Sequence, residues 1–295
     1  MKKQSTIEDY QARVTRAYQL ISRHIDRPID IAGLAKEAAF SLYHFHRIYR
    51  AMVGETVVET HRRLRLERAA KRIIYTRLSI TDIALEAGYE TPQAFSRAFK
   101  GRFGQTPAGY RKKEHRYEAF IASLPHKLLY FSTHIKEFKM NVDIEKRETT
   151  VVFGIRHVGP YQQVGAVFES LWGWACNNGL VTQIKHGICI CYDDPLTVPA
   201  EQCRADACIE FYPPFPQETG DVKRHEIPAG TYARYRHIGP YHKLADAYEA
   251  ICAKWIPANG YELAEAPSFE VYQNDPANTP EEQLITDIYL QLIDK

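Results

Sequence analysis

Apolar residues in the first third of the chain recur at spacings of three and four, as short amphipathic helices require, and they do so twice. Leu34-Ala35-Lys36-Glu37-Ala38 returns as Ile83-Ala84-Leu85-Glu86-Ala87. Ser41, Phe45, Arg47, Arg50, Gly54 and Thr56 return 50 residues later as Thr91, Phe95, Arg97, Lys100, Gly104 and Thr106. Duplication of one supersecondary unit is the economical explanation. Each copy reads as a helix, a turn and a second helix. Asp30 and the Ser79-Ile-Thr-Asp82 capping box start the first helices. Gly88 and the Ala39-Phe40 pair mark the turns, and Ser41 and Thr91-Pro92 start the second helices.

Each second helix carries two faces. Phe45, Ile48, Tyr49 and Met52 form a buried stripe in the first copy, and Phe95, Ala98, Phe99 and Phe103 in the second. The other face presents Tyr43, His46, Arg47 and Arg50 in one and Gln93, Ser96, Arg97 and Lys100 in the other. Hydrogen-bond donors mixed with positive charge suit a helix laid in the major groove of DNA. A stretch from Val57 to Tyr75, rich in arginine, separates the copies; as a helix it is about 28 Å long, near the ~34 Å repeat of the duplex. A further helix over Ile7–Ile25 precedes them, with Val14, Ala17, Tyr18, Ile21 and Ile25 on its apolar side.

The second half repeats at an offset of 80: Arg156-His157-Val158-Gly159-Pro160-Tyr161 returns as Arg236-His237-Ile238-Gly239-Pro240-Tyr241. An amphipathic helix follows each, ending near Gly179 or Gly260. Alternating, β-rich segments precede and follow the helices, at Thr150–Arg156, Gly187–Tyr192, Ala207–Tyr212, Thr231–Arg236, Ser268–Tyr272 and Thr286–Leu292. The expected fold is therefore multidomain: an all-α double helix-turn-helix domain (1–112), a connector (113–139), and an α+β domain of two duplicated strand-helix-strand-strand units (140–295).

Charge sharpens this division. Residues 1–116 hold 23 Lys+Arg against 12 Asp+Glu, a balance of +11, while the rest hold 15 against 24, a balance of −9. A basic front half points to nucleic acid. All six cysteines lie in the back half without zinc spacing, and reduced, mostly buried thiols are expected, with no metal. No signal peptide or membrane-length apolar run is present, so a cytoplasmic protein without membrane contact is expected. Nucleophile elbow, phosphate loop and dinucleotide fingerprint are all missing, which leaves no catalytic residue and no cofactor to expect. Trp172, Trp174, Tyr212, Phe215 and Trp255 read as core, and His157 and His237 as structural.

The first repeat resembles the AraC/XylS family of transcription regulators over about Ile7–Arg111. Its most specific stretch is Ile83-Ala-Leu-Glu-Ala-Gly-Tyr-Glu-Thr-Pro-Gln-Ala-Phe-Ser-Arg-Ala-Phe-Lys100, followed by Phe103-Gly104, Thr106-Pro107 and Tyr110-Arg111. By position the resemblance gives base reading to Tyr43, His46, Arg47, Gln93, Ser96 and Arg97. Arg50 and Lys100 are expected on phosphates. Pro92 stands where some relatives carry a polar contact, which implies fewer bases read there. The second repeat resembles the GyrI-like effector-binding domain over about Met140–Lys295, through its Gly-Pro-Tyr turns, Phe269-Glu-Val-Tyr272-x-Asn-Asp-Pro276 and Thr286-Asp-Ile-Tyr289. That family's pocket lies between its two halves. By position Glu270 is its acid for organic cations, with Tyr272 and Tyr289 as aromatic walls.

Together these resemblances imply a sequence-specific, activator-type regulator, with the direction of control left open. Its expected partners are double-stranded promoter DNA, a small, cationic and apolar effector, and RNA polymerase. It is not expected to be an enzyme. Two alternatives stand beside this reading. In one the GyrI-like domain is a small-molecule hydrolase, with Glu270 and a tyrosine as base and acid. In the other it is a ligand-independent protein-interaction module.

Overall fold

The computed structural model describes residues 2–112, 140–195 and 198–294, so the expected connector lies outside the described residues. The front part is helical: α1 (Lys2–Arg23), α2 (Ile31–Glu37), α3 (Leu42–Val53), α4 (Val57–Tyr75), α5 (Ile80–Glu86), α6 (Pro92–Phe103) and α7 (Pro107–Lys112). Local chemistry sets most of the boundaries. Asp30, Ser79 and Thr91 each accept from the backbone N–H three residues on, at 3.0, 3.0 and 3.2 Å. Thr56 and Glu59 close a reciprocal capping box at the start of α4. Gly54 and Gly104 end α3 and α6 in the left-handed region.

Ser41 departs from expectation. Its side chain makes no capping bond to α3. The Leu42 N–H instead donates to Glu265 Oε1, 3.1 Å away in the back half of the chain. A remote carboxylate at this helix N-terminus meets a free donor and the positive end of the helix dipole.

α6 packs with α4, α5 and α7 around Leu66, Ala70, Ile73, Ile83, Phe95, Phe99 and Tyr110. The core around α3 is not closed by the front part alone. Val14, Ala17, Ile21, Phe45, Ile48, Tyr49 and Met52 share one cluster with Tyr248, Ile251, Trp255, Ile288 and Leu290. Several spacer arginines hold the bundle together. Arg63 pairs with Glu55 and Glu67, Arg68 with Asp26, and Arg72 with Glu86.

The back part is one eight-stranded antiparallel sheet of β1 (Val142–Arg147), β2 (Thr150–Val158), β3 (Ile184–Cys191), β4 (Arg204–Phe211), β5 (Lys223–Ile227), β6 (Gly230–Ile238), β7 (Ser268–Tyr272) and β8 (Ile285–Gln291). Their order is β1-β6-β8-β7-β3-β4-β2-β5. The helices are α8 (Val164–Asn177) and α9 (Leu244–Ala250); α9 continues through a π-helical segment, Ile251–Trp255, into Ile256–Ala258. The expected units are β2-α8-β3-β4 and β6-α9-β7-β8, joined where β3 pairs with β7.

Each unit has one further strand that the sequence did not reveal. β1 reads Val-Asp-Ile-Glu-Lys-Arg and β5 Lys-Arg-His-Glu-Ile, charged segments with little apolar alternation. They occupy the two sheet edges, where charge discourages pairing with other chains. β1 pairs with β6 and β5 with β2, so each unit's first strand completes the other unit.

Gly159 and Gly239 turn the chain after β2 and β6 at φ +145° and +136°. The ring Nε2 of His157 and of His237 lies 3.0 and 3.3 Å from the carbonyl oxygen of Pro160 and Pro240, bracing the same two turns. The expectation of a core position fails for Trp172, Tyr212 and Phe215, all of which are exposed, whereas Trp255 is buried. Trp172 lies on α8, and Tyr212 and Phe215 follow β4 outside any helix or strand; apolar character alone does not fix burial.

The two helix-turn-helix turns differ in one respect that can be measured. Gly88 adopts φ +70°, and the corresponding Ala39 is held at φ +55°. An L-residue with a Cβ is strained there by roughly 1 kcal/mol. Ala39→Gly should therefore raise the unfolding free energy by about 0.5–1 kcal/mol. Gly88→Ala should lower it by about 1 kcal/mol, because φ +70° strains a residue with a Cβ, while the Arg65 guanidinium at the end of its flexible stem can move aside. Urea unfolding of both variants checks the pair.

Candidate functional site

α6 has one buried and one exposed face. Phe95 and Phe99 are buried, while Gln93, Arg97 and Lys100 are exposed on the opposite face and Ser96 is half-buried beside them. Thr91 caps the helix and Pro92 opens it, so a rigid N-terminal turn presents this face.

α3 does not follow its twin. Tyr43 and Arg50 are half-buried, and Arg50 Nη1 lies 3.2 Å from Glu249 Oε2 of α9. His46 and Arg47 are buried, at 7% and 8% exposure. The expected solvent face at these two residues is thus corrected: in this arrangement α3 cannot offer them to a duplex. The cause is tertiary. Helical spacing assigns residues to faces, but not which face a distant part of the chain will cover.

What covers α3 is the second candidate site. Glu270 projects from β7 toward the helical side of the sheet and is 7% exposed. The Tyr272 hydroxyl donates to its Oε2 at 2.9 Å and the Tyr248 hydroxyl to its Oε1 at 3.1 Å. The Cys191 thiol lies 3.8 Å from the same carboxylate. Phe168 of α8 and Tyr241 close on the Tyr272 ring edge-on, each at 5.6 and 5.5 Å between centroids. Burial pushes the Glu270 carboxyl above the usual range; the two tyrosine hydroxyls and Arg47 oppose that rise.

Arg47 enters this site from α3. Its guanidinium carbon sits 4.2 Å from the centroid of the Tyr248 ring, a cation–π contact on the same ring whose hydroxyl holds Glu270. Burial disfavours the charge on Arg47, but the neighbouring negative field, Asp194 foremost, more than offsets it and raises its pKa. Beside it His44 is 1% exposed, and burial followed by the repulsion of Arg47 brings its pKa down to about 3.

Tyr272 lies against Glu270, whereas Tyr289 does not. β7 and β8 pair with Glu270 opposite Ile288 and Phe269 opposite Tyr289, which puts Tyr289 on the other face of the sheet. There it stacks on Phe269 at 4.7 Å, with Arg147 over its ring. Strand parity was legible for β7, but the β7–β8 register was not. Tyr248 and Asp194 were missed. Tyr248 falls in the apolar helical spacing of α9, and the available signal is that its repeat mate, Phe168, lacks the hydroxyl. Asp194 belongs to no motif.

Among the described residues no group of three or more His, Cys, Asp and Glu side chains is placed to hold a metal ion. No helix among them is long and apolar enough to cross a membrane. Cys176 is exposed and the other five cysteines are buried and free.

Comparison with known proteins follows the same division. Residues 140–293 match the GyrI-like small molecule binding domain, and residues 34–113 match a helix-turn-helix domain of the AraC type. An uncharacterized HTH-type transcriptional regulator of Bacillus subtilis, YbfP, is 30% identical over 141 residues, 46% of this chain and 48% of that protein. The chain thus spans about half of that relative's length. The regulatory protein SoxS of Salmonella typhimurium is 35% identical over 104 residues, 35% of this chain and 97% of SoxS. The crystal structure of the EcmrR C-terminal domain is 18% identical, with a TM-score of 0.43, and covers 52% of this chain and 98% of that domain.

The buried histidine makes the contact between the two parts sensitive to acid. His44 is held near pKa 3 in the docked state, against about 6.5 when free in water. Well above pH 6.5 it is neutral in both states, and its titration then has no bearing on docking. As pH falls below 6.5 the freed state takes up a proton that the docked state refuses, so docking weakens. Between pH 7 and 5 the loss should be about 2 kcal/mol. Urea unfolding at the two pH values should show this in the parent chain and much less of it in His44→Gln.

Proposed function

We propose that this chain, which belongs to the GyrI-like family of small molecule binding domains and carries an AraC-type helix-turn-helix domain ahead of it, is a transcriptional regulator that binds specific DNA sequences under the control of a small organic cation. The observation that carries the reading is the placement of Glu270. A desolvated carboxylate, held by two tyrosine hydroxyls and walled by aromatic rings, faces a helix of the helix-turn-helix domain. Such a site favours a cation that sheds water readily, with each ring face adding ~0.5–2 kcal/mol. Its position against α3 supports a link between ligand and DNA.

The exposed face of α6 supports the DNA half of the reading. In this reading Arg97, exposed on that face, makes a bidentate contact to guanine and Lys100, about one turn on, contacts a phosphate. Promoter DNA and RNA polymerase are the macromolecular partners in this proposal, and the division 1–112, 113–139 and 140–295 is its domain plan. Glu270 and Tyr272 are its ligand groups, with Tyr248 taking the place first given to Tyr289.

Selection of bound duplexes from a random pool, followed by titration of the winners, tests the DNA assignment. Arg97→Ala should relax preference at one base pair, at a cost of about 1–3 kcal/mol there. Lys100→Ala should weaken all duplexes alike and lower the salt slope by about 1. Unchanged footprints in both variants reject the α6 assignment. Glu270→Gln should abolish the stabilisation by organic cations seen in thermal unfolding. Product release beyond one equivalent from an electrophile would replace the binder reading with a catalytic one.

A further inference from the structure

The two reading helices are equivalent in sequence but not in situation, and the difference centres on one side chain. α6 presents Arg97 to solvent, whereas α3 presents Arg47, its repeat mate, to the interior of the small-molecule domain. A guanidinium is the most weakly hydrated of the common side-chain cations, planar and apt to stack on an aromatic face. Stacked on Tyr248 in the field of Glu270 and Asp194, it does what an external organic cation would do there.

We propose that Arg47 is an internal ligand of the cation site, so that an external cation and the docked α3 compete for the same place and only one can hold it. The inference rests on the reading of Glu270 as a cation site and adds its regulation. It also narrows the ligand to a planar, delocalised cation with an aromatic body, of the aryl-amidinium or aryl-guanidinium type. Such a molecule reproduces the guanidinium on Tyr248 and fills the space of the withdrawn arginine stem.

The contacts around Arg47 fit a releasable latch. Arg50 meets Glu249 at 3.2 Å, Arg13 meets Glu262 at 3.2 Å, and the Leu42 N–H meets Glu265 at 3.1 Å. In each, a donor from α1 or α3 pairs with a carboxylate of the acidic half. These are the groups that a DNA phosphate, itself an anion, would take over when α3 enters a groove. Cation and DNA therefore draw on the same released state, one by displacing Arg47 and the other by capturing α3. Two ligands that favour one state must each raise the other's affinity by an equal factor.

The repeat supplies an internal control. Glu249 of α9 touches Arg50, whereas its mate Glu169 of α8 is exposed. Glu249→Arg and Glu169→Arg change the charge identically, and only the first opposes docking. With no small molecule present, Glu249→Arg in the full chain should bind its selected duplex about five-fold more tightly than Glu169→Arg. Equal affinities overturn the latch.

The second arm uses phenylguanidinium as the probe, read by calorimetry. Arg47→Met keeps the volume of the stem and removes the competitor, so the probe should bind about ten-fold more tightly than to the parent chain. Saturating duplex should tighten the probe on the parent chain by the same factor that saturating probe tightens the duplex. If Glu270→Gln abolishes probe binding but Arg47→Met leaves it unchanged, the cation site stands and the competition falls. If the probe binds neither the parent chain nor Arg47→Met, the cation reading and the competition fall together. The duplex comparison of Glu249→Arg with Glu169→Arg then decides whether docking alone restrains α3.

Discussion

The burial of a guanidinium against the small-molecule domain is the constraint from which most of this architecture follows. A charged side chain taken out of water needs compensation nearby. Arg47 finds it in the ring face of Tyr248 and the negative field of Asp194 and Glu270. Bringing Arg47 there requires α3 to lie along α9, and the flanking contacts follow. Met52, Ile48 and Phe45 enter the same core as Ile251 and Trp255, and the Leu42 N–H at the start of α3 turns toward Glu265. The opposite net charges of the two halves gain a structural meaning here: the basic part is partly satisfied by the acidic part.

Both halves of the chain are duplicated, and in each half one copy is used up by the contact. α3 meets α9, while on their mates the corresponding residues, Arg97 and Lys100 of α6 and Glu169 of α8, are exposed. The substitutions between mates match these different duties. α9 carries Tyr248 where α8 carries Phe168, which adds the hydroxyl that Glu270 requires. A duplicated fold thus supplies two scaffolds, and a few polar changes decide which becomes interface and which remains surface.

Regular elements were largely legible in the sequence because their causes are local. Capping side chains, left-handed glycines and three-to-four spacing act within a turn or two of helix. The boundaries of α4, Val57–Tyr75, agree with the sequence reading for this reason. The edge strands β1 and β5 escaped because charged, half-exposed strands lack the alternation that marks a strand. Ser41 escaped differently: it has the residue type of a cap, but Glu265, distant in sequence, serves the end of α3.

The sequence by itself determined two duplicated units, the capped helices that build the first, and the shared face of Glu270 and Tyr272 on β7. Only tertiary structure decided the β7–β8 register that turns Tyr289 away, the choice of Tyr248 as partner to Glu270, and the burial of Arg47. Periodicity encodes the direction of a side chain relative to its own helix or strand. What it meets depends on how elements far apart along the chain pack together, and no local pattern records that.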